Sequence, residues 1–335
     1  MYQKAGRCNL IIQKSRLVRH LQQPVGDTGA FGTPWPQSPA ISARQALAWI
    51  MRYTVFVSCR SYSMTLTSLL ARTCIALTVT LPLLTQAGTT LTLDQAAAGP
   101  QRTPARVKRD VYRHPVQTLT FFGLRPDQTV VEIWPGGGWY TEILAPYLNG
   151  HGRYYAAQVA PDIDQERAEE VAGFENTLSH QPDLYNHAAV LTFEPPQRVD
   201  IRPAGGADVV LTFRNVHNWL KDGTAPAAFT AFYKALKPGG VLGVEEHRAA
   251  PGTSLQQMID TGYVTEDTVI KLAQDAGFKL AARSDINANP KDTKDYPNGV
   301  WSLPPSYQGG DQDRARYAAI GESDRMTLKF IKPAH

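Results

Sequence analysis

The stretch Val130–Glu142, VVEIWPGGGWYTE, constrains this chain more than any other part of it. Its short apolar run, with no polar alternation, reads as a strand buried on both faces, the pattern of a parallel sheet. Gly136, Gly137 and Gly138 follow, and the residues after them have the apolar spacing of a helix. Glycine permits a tight turn and lets a ligand approach the backbone. The start of the next helix offers N–H groups that no helical carbonyl uses. Strand, glycine turn and helix in that order form a device for a nucleotide-like ligand.

The alternation continues downstream. Segments 152–159 (GRYYAAQV), 188–193 (AAVLTF), 207–213 (ADVVLTF), 241–247 (VLGVEEH), 278–286 (FKLAARSDI) and 325–332 (RMTLKFIK) read as further strands. Helical patterns fall between them, over about 162–178, 225–236 and 265–277. Another runs from about Arg106 to Phe122, broken by Pro115 and ended by Gly123. Repeated βα units predict an α/β, Rossmann-like sheet of seven mostly parallel strands with helices on both faces.

The net charge of +4 is unevenly placed. Up to Ala87 there are nine Lys or Arg and one acidic residue; from Gly88 onward 25 basic residues face 29 acidic ones. The part from Gly88 onward thus offers no basic field for nucleic acid, and a small molecule is the expected partner. Cys8, Cys59 and Cys74 all precede Ala87, so nothing downstream can form a disulfide, a thiolate metal site or a cysteine nucleophile.

From Met64 the chain has the order of a secretory signal: Arg72, the apolar run Cys74–Leu84, then Thr85-Gln86-Ala87. The run is shorter than the ~20 residues a helix needs to cross a bilayer, so no stable membrane insertion is expected once the signal is removed. The reading is a signal peptide over 64–87 and export to the periplasm or beyond; the alternative is a short buried helix in a cytoplasmic protein. Residues 1–63 show no sustained apolar period and are expected to be disordered, or to lie upstream of a true start at Met64. A linker is expected over 88–105 and the folded domain over 106–335. Oligomeric state is not legible.

Over about 230 residues the chain resembles the class I S-adenosylmethionine-dependent methyltransferases. The resemblance rests on the Glu-x-x-x-Gly-x-Gly turn (Glu132, Gly136, Gly138), DVVLTFRNVHNWL, FYKALKPGGVLGVEEH, the turn Asp275–Phe278, and the closing strand Arg325–Lys332. More narrowly it resembles a bacterial group of predicted methyltransferases carrying signal peptides, through YRHP, EIWPGGGWYTE, NPKDTKDYP and GESDRMTLKF. The resemblance implies an antiparallel last strand and S-adenosylmethionine as cofactor. It further implies cofactor contacts from Glu132, Trp134, Gly136, Gly137, Gly138, Gln158 and Asn215. Two positions depart from the family pattern. Trp134 stands where glycine is usual and would crowd the cofactor's methionine end. Gln158 replaces the acidic residue that accepts from the ribose, and can do so only through a neutral amide oxygen.

Ligands in such sheets bind beyond the carboxyl ends of the strands. That rule selects 213–219 (FRNVHNW) after the fourth strand and Glu245-Glu246-His247 at the end of the fifth. His217 and His247, with Glu246, are the candidate catalytic groups, since methyl transfer needs alignment and removal of one proton. The alternative for either histidine is a purely structural role. Asn218 is a candidate to orient a substrate, and Trp219 is expected to pack. His217, His247, Glu245 and Glu246 could gather a metal, but no tight spacing such as His-x-x-x-His occurs, so none is expected. The long connection Asn287–Asp324 is a candidate lid in which Asp292, Lys294, Asp295, Tyr296 and Trp301 offer contacts; an ordered surface loop is the alternative. The function expected is methyl transfer to a small molecule. The alternative is an exported protein of this fold that binds another ligand or acts as a hydrolase. A dehydrogenase fits less well, because Gly-x-Gly-x-x-Gly spacing is absent.

Overall fold

The computed structural model describes residues 91–334; the expectations for 1–63 and for the signal segment 64–87 lie outside the described residues. Four short helices lead into the sheet: α1 (Leu93–Ala97), α2 (Pro104–Val107), α3 (Asp110–Arg113) and α4 (Pro115–Phe122). The first half follows as β1 (Thr129–Ile133), α5 (Thr141–Leu148), β2 (Arg153–Gln158), α6 (Gln165–Ser179), α7 (Pro182–Tyr185) and β3 (Ala188–Thr192). The second half begins with β4 (Ala207–Phe213), α8 (Val216–Lys221), α9 (Ala225–Ala235) and β5 (Leu236–His247). It ends with α10 (Leu255–Thr261), α11 (Glu266–Asp275), β6 (Lys279–Ser284), α12 (Arg314–Ile320) and β7 (Arg325–Ile331). Among the described residues no helix is long and apolar enough to cross a membrane.

The strands form one seven-stranded sheet in the order β3-β2-β1-β4-β5-β7-β6. β1 to β5 pair in parallel, whereas β7 runs antiparallel to both β5 and β6. This is the Rossmann-like architecture expected, with the antiparallel last strand. Its central strands are apolar on both faces because both are covered. On β4, Val209, Leu211 and Phe213 enter the layer formed with α1, α4 and α5, while Val210 enters the opposite layer with α9 and α11. The strand order reverses direction between β1 and β4, and their carboxyl ends therefore open a crevice.

Three local expectations are corrected. Part of the expected linker is structured: α1 is held by a capping box between Thr92 and Gln95 and buries Ala96 and Ala97 in the core. Five residues are too few to show a helical period. The helical stretch expected from about Arg106 to Phe122 is broken before Pro115 as expected, but also between α2 and α3, which gives three helices. The last break falls at His114, which is left-handed (φ 38°) directly before Pro115, whose ring disfavours the right-handed helical conformation there. The segment read as a loop after β4 contains α8, too short and too polar to announce itself.

Candidate functional site

The crevice is bordered by unusual backbone. Trp134 at the end of β1 (φ 45°) and Arg214 at the end of β4 (φ 60°) are both left-handed non-glycine residues. Such conformations cost about 1–3 kcal/mol each and persist only where surrounding structure enforces them, which is commonest at functional sites. The turn between β1 and α5 needs Gly136 (φ 57°) and Gly138 (φ 80°) for the same geometric reason. A side chain on Gly138 would also press on Phe174 at 3.2 Å and Thr141 at 3.3 Å.

Two neighbouring cavities open here. One, of about 350 Å³, lies over the glycine turn and is lined by Trp134, Gly136, Gly137, Trp139 and Asn215 among others. The second, of about 320 Å³, is lined by His217, His247, Trp301, Pro304, Ser306 and Ser323 among others. Arg109, Arg113 and Arg214 belong to the walls of both. Each cavity is at the lower end of the size that suits a small ligand, ~300–1,000 Å³.

The residues expected to hold a cofactor divide into two groups. Gly136, Gly137, Trp134 and Asn215 line the first cavity. Gly138 closes the turn behind it, its N–H donating to Pro135 O at 2.9 Å. Trp134 is turned across the sheet end: its Nε1 donates to Phe193 O at 2.9 Å and its ring lies 5.2 Å from that of Trp219. Asn215 Nδ2 donates to Ile133 O and to Thr212 Oγ1, tying β4 to β1 and leaving its Oδ1 as the polar atom available to a ligand. Glu132, by contrast, is buried behind the crevice, accepting from Tyr154 Oη at 2.6 Å and Thr141 Oγ1 at 3.2 Å. Burial raises its pKa to about 7 in spite of those bonds. Gln158 is also buried. Its Nε2 donates to Gly136 O at 3.0 Å, and its Oε1 has no partner. An unpaired buried acceptor costs about 1–3 kcal/mol and calls for a reason.

The candidate catalytic trio comes together from α8 and β5. Glu246 accepts from the backbone N–H groups of Val216, His217 and His247. Its Oε1 lies 3.1 Å from His217 Nδ1. A carboxylate so placed accepts the Nδ1 proton and leaves Nε2 of His217 as the basic nitrogen. His247 packs beside it, ring centroids 5.4 Å apart, with Nδ1 2.6 Å from Ser323 Oγ. Burial first, then the charges of His217, Arg214, Arg325 and Arg113, hold His247 well below the ordinary histidine range, so it is neutral at neutral pH. His217, Glu246 and His247 each bring a potential metal-ligand atom within 4.8 Å of the others. The oxygens of Glu246 are already occupied by N–H donors, and arginines crowd the other side, so the trio is better built to orient an imidazole than to hold a cation. Glu245, the next residue on the strand, faces the opposite way, toward Arg214, Arg325 and Tyr140.

Trp301 lines the second cavity and meets His217 edge-on at 6.0 Å. The expected lid is thus represented by Val300–Ser306, a fixed wall whose insert is stapled to the domain. Asp292 accepts from Tyr263 Oη at 3.0 Å and Asp324 N at 2.7 Å, and Lys294 pairs with Asp324. Tyr296, an expected substrate contact, is not at the cavity: it packs with Leu303 and Tyr317, and its hydroxyl accepts from Thr293 N. Asn218 lies on α8 and lines neither cavity.

The sequence alone assigns the arginines no role. Arg102, Arg106, Arg109 and Arg113 recur at helical spacing before the first strand, a signal visible once the segment is placed over the turn. Arg106 donates to Gly137 O at 2.5 Å, and Arg102 and Arg113 stack on Trp139. Arg109 and Arg113 each reach Glu322 through Nε, at 2.6 and 3.0 Å. Arg325 bridges Glu245 and Glu322 at 2.9 and 3.2 Å, and Arg214 reaches Glu245 at 3.1 Å. Four guanidinium groups thus share two carboxylates. Burial, with Arg214, Arg325 and Arg109 nearby, lowers Arg113 to about 9 even though Glu322 acts against it. Burial pushes the Glu322 carboxyl up, but Arg113, Arg325 and Arg109 outweigh it and hold Glu322 at about 2.

Neither protein-family models nor curated proteins match this chain. Among solved structures it is similar to a SAM dependent methyltransferase from Aquifex aeolicus, at 14% identity over 72% of this chain and 99% of that one, TM-score 0.45. It is also similar to the N-methyltransferase NodS from Bradyrhizobium japonicum, at 12% identity over 68% and 96% of the two chains, TM-score 0.41. A third similar structure is StiE O-MT, at 17% identity over 72% and 81%, TM-score 0.46.

Proposed function

We propose that the paired cavities carry out methyl transfer from S-adenosylmethionine to a small molecule. The observation that carries this reading is the glycine turn at the switch in strand order, with Gln158 bonded to it through Nε2 and its Oε1 left without a partner. A ribose hydroxyl is a donor of the kind that acceptor lacks. Gly136 and Gly137 permit close approach of a ligand to the backbone, and Asn215 Oδ1 adds an acceptor on the same wall. Bound there, the cofactor supplies an electrophilic methyl group on a sulfonium.

The chain's own residues supply alignment and a proton acceptor. Glu246 fixes the His217 ring, whose Nε2 takes the proton from the acceptor's nucleophilic atom; general-base help of this kind contributes about 10²–10⁴-fold. Trp301 and the two prolines beside it form an apolar wall that excludes water from that atom. Neutral His247 beside His217 offers hydrogen bonding without adding charge. Calorimetry of the full chain with S-adenosylmethionine and S-adenosylhomocysteine tests the reading. Saturable micromolar binding that disappears in Gly136→Val supports it, and no heat from correctly folded protein overturns it.

A further inference from the structure

The wall between the cavities carries more positive charge than the protein neutralises. Arg109, Arg113, Arg214 and Arg325 share only Glu245 and Glu322. Glu246 lies beyond His217, turned toward backbone N–H groups. Arg325 is fully engaged, on Glu245, Ser323 O and Tyr112 O. The other three are not. Arg109 and Arg113 use Nε for Glu322, and Arg214 uses one terminal nitrogen for Glu245. Among the described residues nothing accepts from their remaining guanidinium N–H groups, which belong to side chains lining both cavities. Paired guanidinium forks of this kind match the oxygens of a carboxylate or phosphate.

The cofactor of the proposed reaction does not supply the missing charge. Its methionine end carries an ammonium beside the carboxylate, and its sulfonium adds a further positive charge. A site that brings such a cation against unneutralised arginines needs an anion as the second ligand. The second cavity has room for one: Arg109, Arg113 and Arg214 form one side, Trp301, Pro304 and Pro305 an apolar side, and the histidines stand between.

We propose that the methyl acceptor is a small oxyanion, a molecule whose carboxylate or phosphate group is held by Arg109, Arg113 and Arg214 while its apolar body lies against Trp301. The inference rests on the methyl-transfer reading and names its substrate class. It places the anionic group at one end of the cavity and the nucleophilic atom near His217.

The test is calorimetry of the full chain, saturated with S-adenosylhomocysteine, using 4-hydroxybenzoate, 4-hydroxyphenyl phosphate and the neutral 4-hydroxybenzamide. At least one anion is expected to bind about tenfold or more tightly than the amide, as a charge-assisted contact should. The carboxylate and phosphate arms show which oxyanion fits. Arg109→Gln is expected to abolish the preference; its side chain is the more exposed of the Glu322 pair, so the variant keeps the fold even where Arg113→Gln does not. Equal binding of all three compounds, or of none, overturns the proposal. Anion binding seen only without S-adenosylhomocysteine also overturns it, because the arginines then serve the cofactor's own carboxylate. If S-adenosylhomocysteine never binds but the anions do, and lose affinity in Arg109→Gln, the anion site stands and the methyl-transfer reading falls.

Discussion

Glu322 is the joint of the arginine cluster, and Glu322→Gln tests whether that cluster is organised as described. Its carboxylate meets Arg109 at 2.6 Å, Arg113 at 3.0 Å and Arg325 at 3.2 Å, with a side chain only 6% exposed. The surrounding arginines lower its pKa from an ordinary 4.5 to about 2. A shift of that size corresponds to about 3 kcal/mol of folding stability. Because the folded pKa is depressed, the contribution is present in full above the unfolded value and is lost as pH falls from about 4.5 toward 2. Glutamine keeps the shape and removes the charge, leaving three guanidinium groups against one another. The cost at pH 7 is therefore expected to be about 3 kcal/mol, within the ~3–5 kcal/mol typical of a broken buried pair. Near pH 3 about half of the wild-type advantage has gone, and the difference should shrink to about 1.5 kcal/mol. Urea denaturation followed by tryptophan fluorescence at both pH values measures this, and the difference between variant and wild type isolates Glu322 from other titrating groups. A cost that does not change with pH, or none at pH 7, would refute the electrostatic account of the cluster.

Further outcomes are expected. Gly138→Val places a branched residue at φ 80° against Phe174 and Thr141, and should lower stability by about 1–3 kcal/mol and abolish S-adenosylhomocysteine binding; a thermal melt and calorimetry read both. Dialysis against EDTA should leave that binding unchanged, since Glu246 is engaged by N–H donors; binding lost and then restored by a divalent cation would reassign His217, Glu246 and His247 as a metal centre. If the leader is a secretory signal, mass measurement of the protein recovered outside the cytoplasm should give an N-terminus at Gly88, and one upstream of Met64 would contradict export through it.

The strands were legible because β1, β4 and the second half of β5 are buried on both faces and so read as short, mainly apolar runs without polar alternation. The antiparallel β7 came from resemblance, since nothing in its apolar pattern specifies direction. The glycine turn was legible for a similar reason, its backbone geometry admitting little besides glycine. Side-chain direction was not. Whether Glu132 faces the crevice or Tyr154, and whether Tyr296 faces a ligand or Tyr317, depends on packing between segments far apart in the chain. The arginine cluster was hidden most fully. It joins Arg113, Arg214, Glu245 and the Glu322–Arg325 segment from four separate parts of the chain, and only Glu322 and Arg325 are close in sequence.

A crystal structure of the full chain with S-adenosylhomocysteine bound would test the proposed function most directly. The account predicts the ligand across the ends of β1 and β4, a ribose hydroxyl donating to Gln158 Oε1, and the sulfur at the junction of the two cavities with an open path to His217. Ligand bound elsewhere, or no ligand in the crevice at saturating concentration, would contradict it.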